Sequence, residues 1–315
     1  MSRANEPAIW TSSEAGLATG GEIKGEPWKA TGISIDTRTI KPGDLFIALK
    51  GESRDGHEYI EEALDKGASA ALVSDNVDLT GPGLKVDDTL TALENLGHFK
   101  RQNFGGLVIG VTGSVGKTGT KEMLFHGFSE NGESFASPSS FNNHIGVPLS
   151  LATIPHGTDI GIFEMGMNHA GEISHLSNMV KPDIAIITTI EAVHIENFES
   201  IKGIADAKAE IFDGMNQDGK VILNHDNPHL ARLKAAARTR GIQNIYTFGE
   251  HKEADARLLK VLDAANGLRF EADIMGESVS CTLPLSGKHH AKNALTVLLS
   301  AKIAGYDIRK VARGL

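Results

Sequence analysis

Short apolar runs alternate with longer polar and apolar segments along the last two thirds of the chain. The apolar runs predict strands at 107–111, 160–163, 183–188 and 221–223. The segments that separate and follow them predict helices at 117–128, 171–180, 201–215 and 291–304. Strands that alternate with helices are typical of a mainly parallel sheet with helices on both faces.

Two other regions follow different patterns. Residues 256–283 form short alternating runs, which predict a small antiparallel extension of the sheet. The first 100 residues or so predict a separate small α/β unit, with strands at 33–36, 45–49 and 70–73 and a helix at 59–66. The polar stretch 97–103 is interpreted as a helix end and linker. We therefore expect an N-terminal domain at 1–102 and a central domain at 103–315.

Composition narrows the class of protein. Of the 315 residues, 40% are hydrophobic and 23% charged, as in soluble globular proteins. The net charge of -9 argues against a general nucleic-acid surface. A single cysteine, Cys281, excludes an internal disulfide and fits a reducing cytoplasm, and we interpret it as a small strand residue. With neither a signal peptide nor an apolar run near the ~20 residues that span a bilayer, a cytoplasmic protein without membrane insertion is expected.

The strongest local motif joins the strand at 107–111 to the helix at 117–128. It is a G-x-x-G-K-T phosphate loop with an ATP-binding pattern, whose residues are Gly113, Ser114, Val115, Gly116, Lys117 and Thr118. Its glycines would let backbone N–H groups approach phosphate oxygens at a helix N-terminus. Lys117 would reach the β- and γ-phosphates and the Thr118 hydroxyl would bind Mg²⁺. The longer G-x-x-x-x-G-K-[ST] pattern is not met, because Val111 occupies its first position.

Two further polar residues follow strands of the predicted sheet. Glu164 comes directly after the strand at 160–163, and His194 lies a few residues after the strand at 183–188. The carboxyl ends of parallel strands share one edge, so both are expected near the phosphate loop, where a carboxylate and an imidazole could bind Mg²⁺. Taken singly, Glu164 could be a helix cap or a surface acid, and His194 a hydrogen-bonded polar residue.

Several longer segments together resemble the Mur ligases, a family of ATP-dependent ligases of cell-wall precursor synthesis. The central segments are 110–118, 140–149 with the sequence SFNNHIGVPL, 163–173 and 205–212. The N-terminal segments are 36–38, 43–46 and 55–57, which resemble the UDP-binding domain of that family. The resemblance covers nearly all of the chain. It is greatest to the members that join D-alanyl-D-alanine to UDP-N-acetylmuramoyl-tripeptide.

The resemblance implies a reaction and its cofactors. ATP would phosphorylate the terminal carboxylate of the tripeptide, and the amine of D-alanyl-D-alanine would attack the acyl phosphate. Lys117, Lys208 and His194 would be catalytic, with Mg²⁺ on Thr118 and Glu164 and a second metal at His194. Lys208 would be carbamylated by CO₂ and so supply anionic oxygens to the metals. Judged by its own surroundings in the sequence, Lys208 is an ordinary solvated helix lysine.

The resemblance also implies substrate contacts. In the N-terminal domain, Thr37 and Arg38 resemble the pair that contacts UDP, and an Arg fork suits a pyrophosphate. Arg38 could instead be a surface residue without a ligand. Asp55 and His57 are assigned to the same substrate, although either could cap a helix beginning near Glu58.

In the central domain, Asn142 and Asn143 resemble an amide pair near the metal, with the alternative that they cap a helix beginning near Ile145. The adenine-side pattern of the family, G-x-H-N-x-x-N, reads GKHHAKN at 287–293. His290 stands where the family has asparagine, which leaves Asn293 as the candidate for ATP. Thr189 likewise occupies a position where many relatives have asparagine.

The length of the chain leaves more than one function open. Family members carry a third, C-terminal domain that closes over ATP, and the chain ends where that domain would begin. We therefore expect little or no ligase activity from the chain alone. A monomer is also expected. The alternatives are a sister ligase that adds the third amino acid and a non-catalytic nucleotide- or precursor-binding protein. The latter would need Lys117 but not the combination of Glu164, His194 and Lys208.

Overall fold

The computed structural model describes residues 7–51, 54–74, 76–264 and 267–315. The chain divides into two compact units. Unit 1 comprises residues 1–104 and 148–157, and unit 2 comprises residues 105–147 and 158–315. Within the described ranges, no helix has both the length and the apolar character needed to cross a membrane.

Unit 1 is built on a five-stranded sheet with a separate two-stranded ribbon. Its elements in chain order are β1 Trp10–Thr11, α1 Ser12–Thr19, β2 Glu22–Lys24, β3 Lys29–Ala30, β4 Gly32–Ser34, β5 Asp44–Ile47, α2 Ile60–Asp65, β6 Ala70–Ser74, β7 Gly83–Val86 and α3 Thr89–Asn103. The sheet has the order β2-β7-β6-β5-β4, with β2 antiparallel to β7 and the other pairs parallel. Parallel strands such as β5, which is buried along its length, read as continuous apolar runs.

Unit 2 contains a nine-stranded sheet. Its strands are β8 Leu107–Thr112, β9 Ser134–Ala136, β10 Ile160–Glu164, β11 Ile184–Ile187, β12 Lys220–Asn224, β13 Asn244–Gly249, β14 Ala256–Ala264, β15 Gly267–Ile274 and β16 Glu277–Leu283. The helices are α4 Lys117–Ser129, α5 Gly146–Ala152 (which runs into the 148–157 segment of unit 1), α6 Glu172–Val180, α7 Ile201–Ala209, α8 Leu230–Thr239, α9 Lys288–Ala304 and α10 Ile308–Gly314.

The strand order of this sheet is β16-β15-β14-β13-β12-β11-β8-β10-β9. All pairs from β9 to β14 are parallel, while β14, β15 and β16 pair antiparallel. The predicted fold class is thereby confirmed, including the antiparallel extension, of which residues 265–266 lie outside the described part. Cys281 is buried in β16, and burial raises the pKa of its thiol to about 11, as suits an inert strand residue.

Alternate side chains of the central strands pack on opposite faces. On one face, Ile109 and Val111 of β8 join the main apolar cluster with Leu124 of α4 and Leu298 of α9. The intervening residue Gly110 lies on the other face, where a Cβ atom would come within 2.7 Å of the Met165 side chain. Burial on both faces explains why these strands are apolar throughout.

One predicted helix ends early. The helix expected over 201–215 stops at Ala209 and continues as a short 3₁₀ turn over Glu210–Phe212. Here the Ser177 hydroxyl of α6 donates to the Ile211 carbonyl and accepts from the Gly214 N–H. A Cβ on Gly214 would lie 1.9 Å from the Ser177 carbonyl oxygen, so α6 packs directly on the backbone where the helix stops.

Asp88 is the N-cap of α3, and its replacement provides a stability test. Its carboxylate accepts the Thr91 N–H at 2.7 Å, and this backbone donor lowers the pKa of Asp88. Asp88→Ala should therefore reduce the free energy of unfolding by about 1 kcal/mol, measured by urea denaturation. Asp87→Ala, which leaves the cap intact, is the matched control, and an equal loss in both variants would contradict the capping role.

Candidate nucleotide and metal site

The phosphate loop connects β8 to α4 in a conformation that requires glycine. Gly113 has φ +144° and Gly116 has φ +86°. A Cβ on Gly113 would lie 2.0 Å from Thr188 Oγ1, so even alanine would not fit there. The positive φ angles and the close approach of Thr188 therefore explain why glycine occupies these positions of the loop.

Hydrogen bonds to the segment that follows β11 hold the phosphate loop in place. The Ser114 N–H donates to the Thr189 carbonyl at 2.9 Å, and the Ser114 hydroxyl donates to the Glu191 carbonyl at 3.0 Å. The Thr188 hydroxyl donates to the Val115 carbonyl at 2.6 Å, while the Val115 side chain is exposed. The loop is thus held by these hydrogen bonds to the segment 188–191.

Lys117 is the first residue of α4 and bends back over the loop. Its ammonium donates to the Gly113 carbonyl at 2.9 Å. Burial lowers its pKa, while Glu164 opposes this shift. An incoming phosphate would supply the anionic partner that this cation needs.

Thr118, Glu164 and Asn142 form a hydrogen-bonded row next to the loop. The Thr118 hydroxyl donates to Glu164 Oε2 at 2.9 Å, and the Asn142 amide donates to Glu164 Oε1 at 2.8 Å. Glu164 is only 3% exposed, and its own N–H donates to the Ser137 hydroxyl. This geometry brings together the predicted metal ligands of the loop and of β10, and it contradicts a surface or capping role for Glu164.

Lys208 of α7 is buried with only 3% exposure, so its interpretation as a solvated helix lysine is wrong. Burial first, and then repulsion from Lys117, lower the pKa of Lys208 to about 7, while three glutamates partly offset them. A lysine with such a pKa is substantially neutral at physiological pH, which makes it a nucleophile.

A cavity of 210 Å³ lies between the phosphate loop and Lys208. It is lined by Ser114, Lys117, Asn142, Asn143, His194 and Lys208, among others. His194 has a left-handed backbone with φ +60° in the segment after β11, which is uncommon for a residue other than glycine. The shared sheet edge therefore brings His194 to the loop, as the sequence predicts.

The neighbouring amides have different surroundings. Asn143 Oδ1 accepts the N–H groups of Ile145 and Gly146 at 3.2 and 2.8 Å, so Asn143 caps the start of α5 while it also lines the cavity. Asn293 of α9 stands over the loop, where a Cβ on Gly116 would lie 3.2 Å from its Oδ1. His290 faces inward with a buried Nδ1 that has no hydrogen-bond partner among the described atoms.

The four predicted substrate residues of unit 1 occupy two places. Asp55 and His57 line a cavity of 430 Å³, where the His57 ring contacts Asp55 Oδ1 at 2.5 Å and the Ser74 hydroxyl at 2.9 Å. Asp55 also accepts the His57 N–H and thereby caps the 3₁₀ turn that follows.

Thr37 and Arg38 are absent from the described lining of that cavity. Thr37 is buried, and its carbonyl accepts a hydrogen bond from Lys66. Arg38 is exposed and pairs with Asp36, whose pKa the guanidinium lowers to about 2. In the structure the Arg38 fork is directed at the Asp36 carboxylate.

Three residues of the central site were not singled out from the sequence. Glu172 lines the cavity and accepts the Asn168 N–H. Glu210 accepts the N–H groups of Gly171 and Ser174, and burial raises its pKa. Lys121 is fully buried in α4 and donates to the Ser137 carbonyl at 2.7 Å, next to the hydroxyl that supports Glu164. The first two lie in segments that carry the family resemblance, but Lys121 has no local signal.

Family comparisons agree along both units. The Mur ligase middle domain matches residues 111–301, and the Mur ligase family, catalytic domain, matches residues 29–101. The phosphate loop after Val111, Glu164, His194, Lys208 and Asn293 all lie within the first match.

Curated relatives are similar over most of the chain. The UDP-N-acetylmuramoyl-tripeptide--D-alanyl-D-alanine ligase of Rickettsia prowazekii is 37% identical over 307 residues, which cover 97% of this chain and 68% of that protein. The ligase of the same name from Bacillus subtilis is 37% identical, with 90% and 61% covered, and that from Escherichia coli 34%, with 94% and 65%. The chain thus spans about two thirds of the length of these relatives.

Solved structures of proteins from this group are also similar to the chain. A crystal structure of MurF from Acinetobacter baumannii superposes with a TM-score of 0.85 at 31% identity, covering 97% of this chain and 67% of that one. MurF from Thermotoga maritima in complex with ADP gives a TM-score of 0.75 at 27% identity, with 89% and 65% covered. Matching domains, high coverage and a shared fold together establish that this chain belongs to the Mur ligase family.

Proposed function

We propose that the chain provides the ATP site and the UDP-precursor site of a ligase that joins D-alanyl-D-alanine to UDP-N-acetylmuramoyl-tripeptide. The observation that carries this proposal is the hydrogen-bonded row Thr118–Glu164–Asn142 beside the phosphate loop, with the buried Lys208 on the cavity that Asn142 and Lys117 line. A protein that only binds a nucleotide would have no use for a buried amine and a buried carboxylate at that place.

The residues at the loop fit ATP and Mg²⁺ by their chemistry. Thr118 Oγ1 and Glu164 Oε2 are hard oxygen donors only 2.9 Å apart, as Mg²⁺ prefers. The loop places backbone N–H groups at the start of a 13-residue helix, and it approaches Thr188 so closely that Gly113 could not carry a Cβ. Thr118 and Glu164 would hold the ion, which when bound neutralises phosphate charge. His194 is proposed as a ligand of a second ion.

The proposed reaction has two steps. A carboxylate oxygen of the tripeptide attacks the γ-phosphorus of ATP, so that a C–O–P linkage forms and ADP leaves. The neutral amine of D-alanyl-D-alanine then attacks the acyl carbon, an amide forms, inorganic phosphate leaves and the amine loses a proton. Lys117 would orient the β- and γ-phosphates and neutralise charge on the transferred group. Asn142 would hold the Glu164 carboxylate in place.

Lys208 is proposed to act as a carbamate. Its pKa of about 7 leaves much of the amine neutral at physiological pH, and a neutral amine can attack CO₂. An N–C bond forms, a proton is released, and the product is an anion that suits a site for divalent cations. An ammonium at the same place would repel them, as it is already repelled by Lys117.

Unit 1 is proposed to bind the UDP part of the precursor. Asp55 and His57 line its cavity, and Arg38 presents a guanidinium already oriented by Asp36. Asn293 would contact the adenine side of ATP. The proposed partners are therefore UDP-N-acetylmuramoyl-tripeptide and D-alanyl-D-alanine, on a monomeric cytoplasmic protein.

Calorimetric titration tests this function. The chain should bind UDP-N-acetylmuramoyl-tripeptide saturably, and Mg²⁺ should strengthen its binding of ATP. In Glu164→Gln the effect of Mg²⁺ on ATP affinity should fall by about tenfold, because one charged ligand is lost. Glu130→Gln, at the exposed far end of α4, is the control and should retain it. Binding of ATP without any binding of the precursor would contradict the ligase proposal.

A further inference from the structure

Two histidines lie side by side in the segments that follow β12 and β13. The rings of His225 and His251 stack with their centroids 4.2 Å apart and their planes inclined by 9°. Glu253 follows two residues after the second of them. One potential ligand atom from each of the three side chains lies within 4.8 Å of the others.

Backbone hydrogen bonds fix these two segments to each other. The His225 N–H donates to the Phe248 carbonyl at 2.7 Å. The Asp226 carboxylate accepts the Glu250 N–H at 3.0 Å and the His251 N–H at 3.1 Å. These hydrogen bonds hold the two segments, and with them the two rings, next to each other.

One nitrogen of the His225 ring makes no hydrogen bond within the described part of the chain. This atom, Nδ1, is buried. Leaving such an atom unpaired is unfavourable, because it has lost its contact with water. His251 Nδ1 accepts the Glu253 N–H at 3.2 Å. His251 and Glu253 are exposed, so both side chains can reorient towards a shared ligand.

We propose that His225, His251 and Glu253 form a binding site for a borderline divalent cation of the Zn²⁺ type. Two imidazoles and one carboxylate are a donor set that suits Zn²⁺ and leaves a fourth position for water. Rotation of the rings out of their stacked arrangement would direct one nitrogen of each to the ion. The bound ion would link the segment after β12 to the segment after β13.

This site shares no residue with the proposed Mg²⁺ site. Thr118 and Glu164 offer oxygen, and His194 would add one imidazole at the proposed second ion, whereas the histidine site offers two imidazoles and one carboxylate, so the two sites differ in the ions they prefer. Its occupancy should therefore be independent of Mg²⁺. The proposal does not depend on the ligase function.

Titration of the metal-free chain with Zn²⁺ in excess Mg²⁺ tests the proposal. Calorimetry should show one saturable site, and binding should raise the Tm. His225→Ala and His251→Ala should each weaken Zn²⁺ affinity by about tenfold or more, and Glu253→Gln by less. His126→Ala, which removes an exposed histidine of α4, is the matched control and should bind as the parent does.

Three results would overturn the site: displacement of Zn²⁺ by Mg²⁺, unchanged affinity in both histidine variants, or a loss of affinity confined to His289→Ala. The last result would assign Zn²⁺ binding to His289 and His290, whose rings also lie close to each other. If His225→Ala fails to fold, His251→Ala still decides the question, because that side chain is exposed and its removal leaves the Asp226 hydrogen bonds in place.

Discussion

Lys117→Ala is expected to weaken the binding of Mg-ATP by about 10- to 150-fold, because a hydrogen bond to a charged group contributes about 1.5–3 kcal/mol. The Lys117 ammonium already lies over the phosphate loop, 2.9 Å from the Gly113 carbonyl. Burial lowers the pKa of Lys117 and Glu164 opposes this shift, so bound phosphates would add further anionic partners for the ammonium. Calorimetric titration of the variant measures the loss.

A comparison among nucleotides separates this role from a loss of folding. The loss should be large for ATP and ADP and small for AMP, because the proposed contacts are with the β- and γ-phosphates. Lys202→Ala, an exposed lysine of α7, is the matched control and should bind Mg-ATP as the parent does. An affinity of Lys117→Ala within twofold of the parent would exclude the proposed contact.

The Lys208→Met variant is expected to have a larger free energy of unfolding than the parent at pH 6. The difference between the two should decrease as the pH rises. The folded chain holds Lys208 at a pKa of about 7, far below its ordinary value of 10.5. Below pH 7 the buried ammonium is charged and destabilises the fold, by at most roughly 5 kcal/mol. Methionine has no charge to bury. Urea denaturation in bicarbonate-free, metal-free buffer measures the difference.

The sign of this pH dependence follows from proton counts. Between pH 7 and 10.5 the unfolded chain binds more protons at this lysine than the folded chain, so the stability of the parent rises with pH in that window. The groups that set the folded pKa are Lys117 on α4, Glu164 on β10, Glu172 on α6 and Glu210 after α7. Parallel stability curves for parent and variant from pH 6 to 10 would show that Lys208 is not a depressed lysine.

The parallel sheet and the phosphate loop could be predicted because their signals are local. Continuous apolar strands with helices between them are compatible with few other folds. The G-x-x-G-K-T motif predicts a tight turn between one particular strand and the helix that follows it. The position of Glu164 followed from a general rule on strand ends, since it depends on topology and not on detailed packing.

Burial of a particular side chain was beyond such reasoning. Lys208 lies in a helix of mixed composition, where a lysine is ordinarily solvated, and only packing around α7 encloses it. Lys121 is hidden in the same way. The early end of α7 depends on a hydroxyl of α6 that is distant in sequence, Ser177. Similarly, no local signal assigns residues 148–157 to the same unit as the first 104 residues.

The fastening of the phosphate loop to β11 has a consequence for binding entropy. A flexible loop must be ordered when a nucleotide arrives, and that ordering subtracts from affinity. Here Ser114 and Thr188 have already ordered the backbone through a strand at the centre of the sheet. A nucleotide bound at the loop, as proposed, would therefore meet a preorganised anion site, and little of its binding free energy would be spent on ordering the loop.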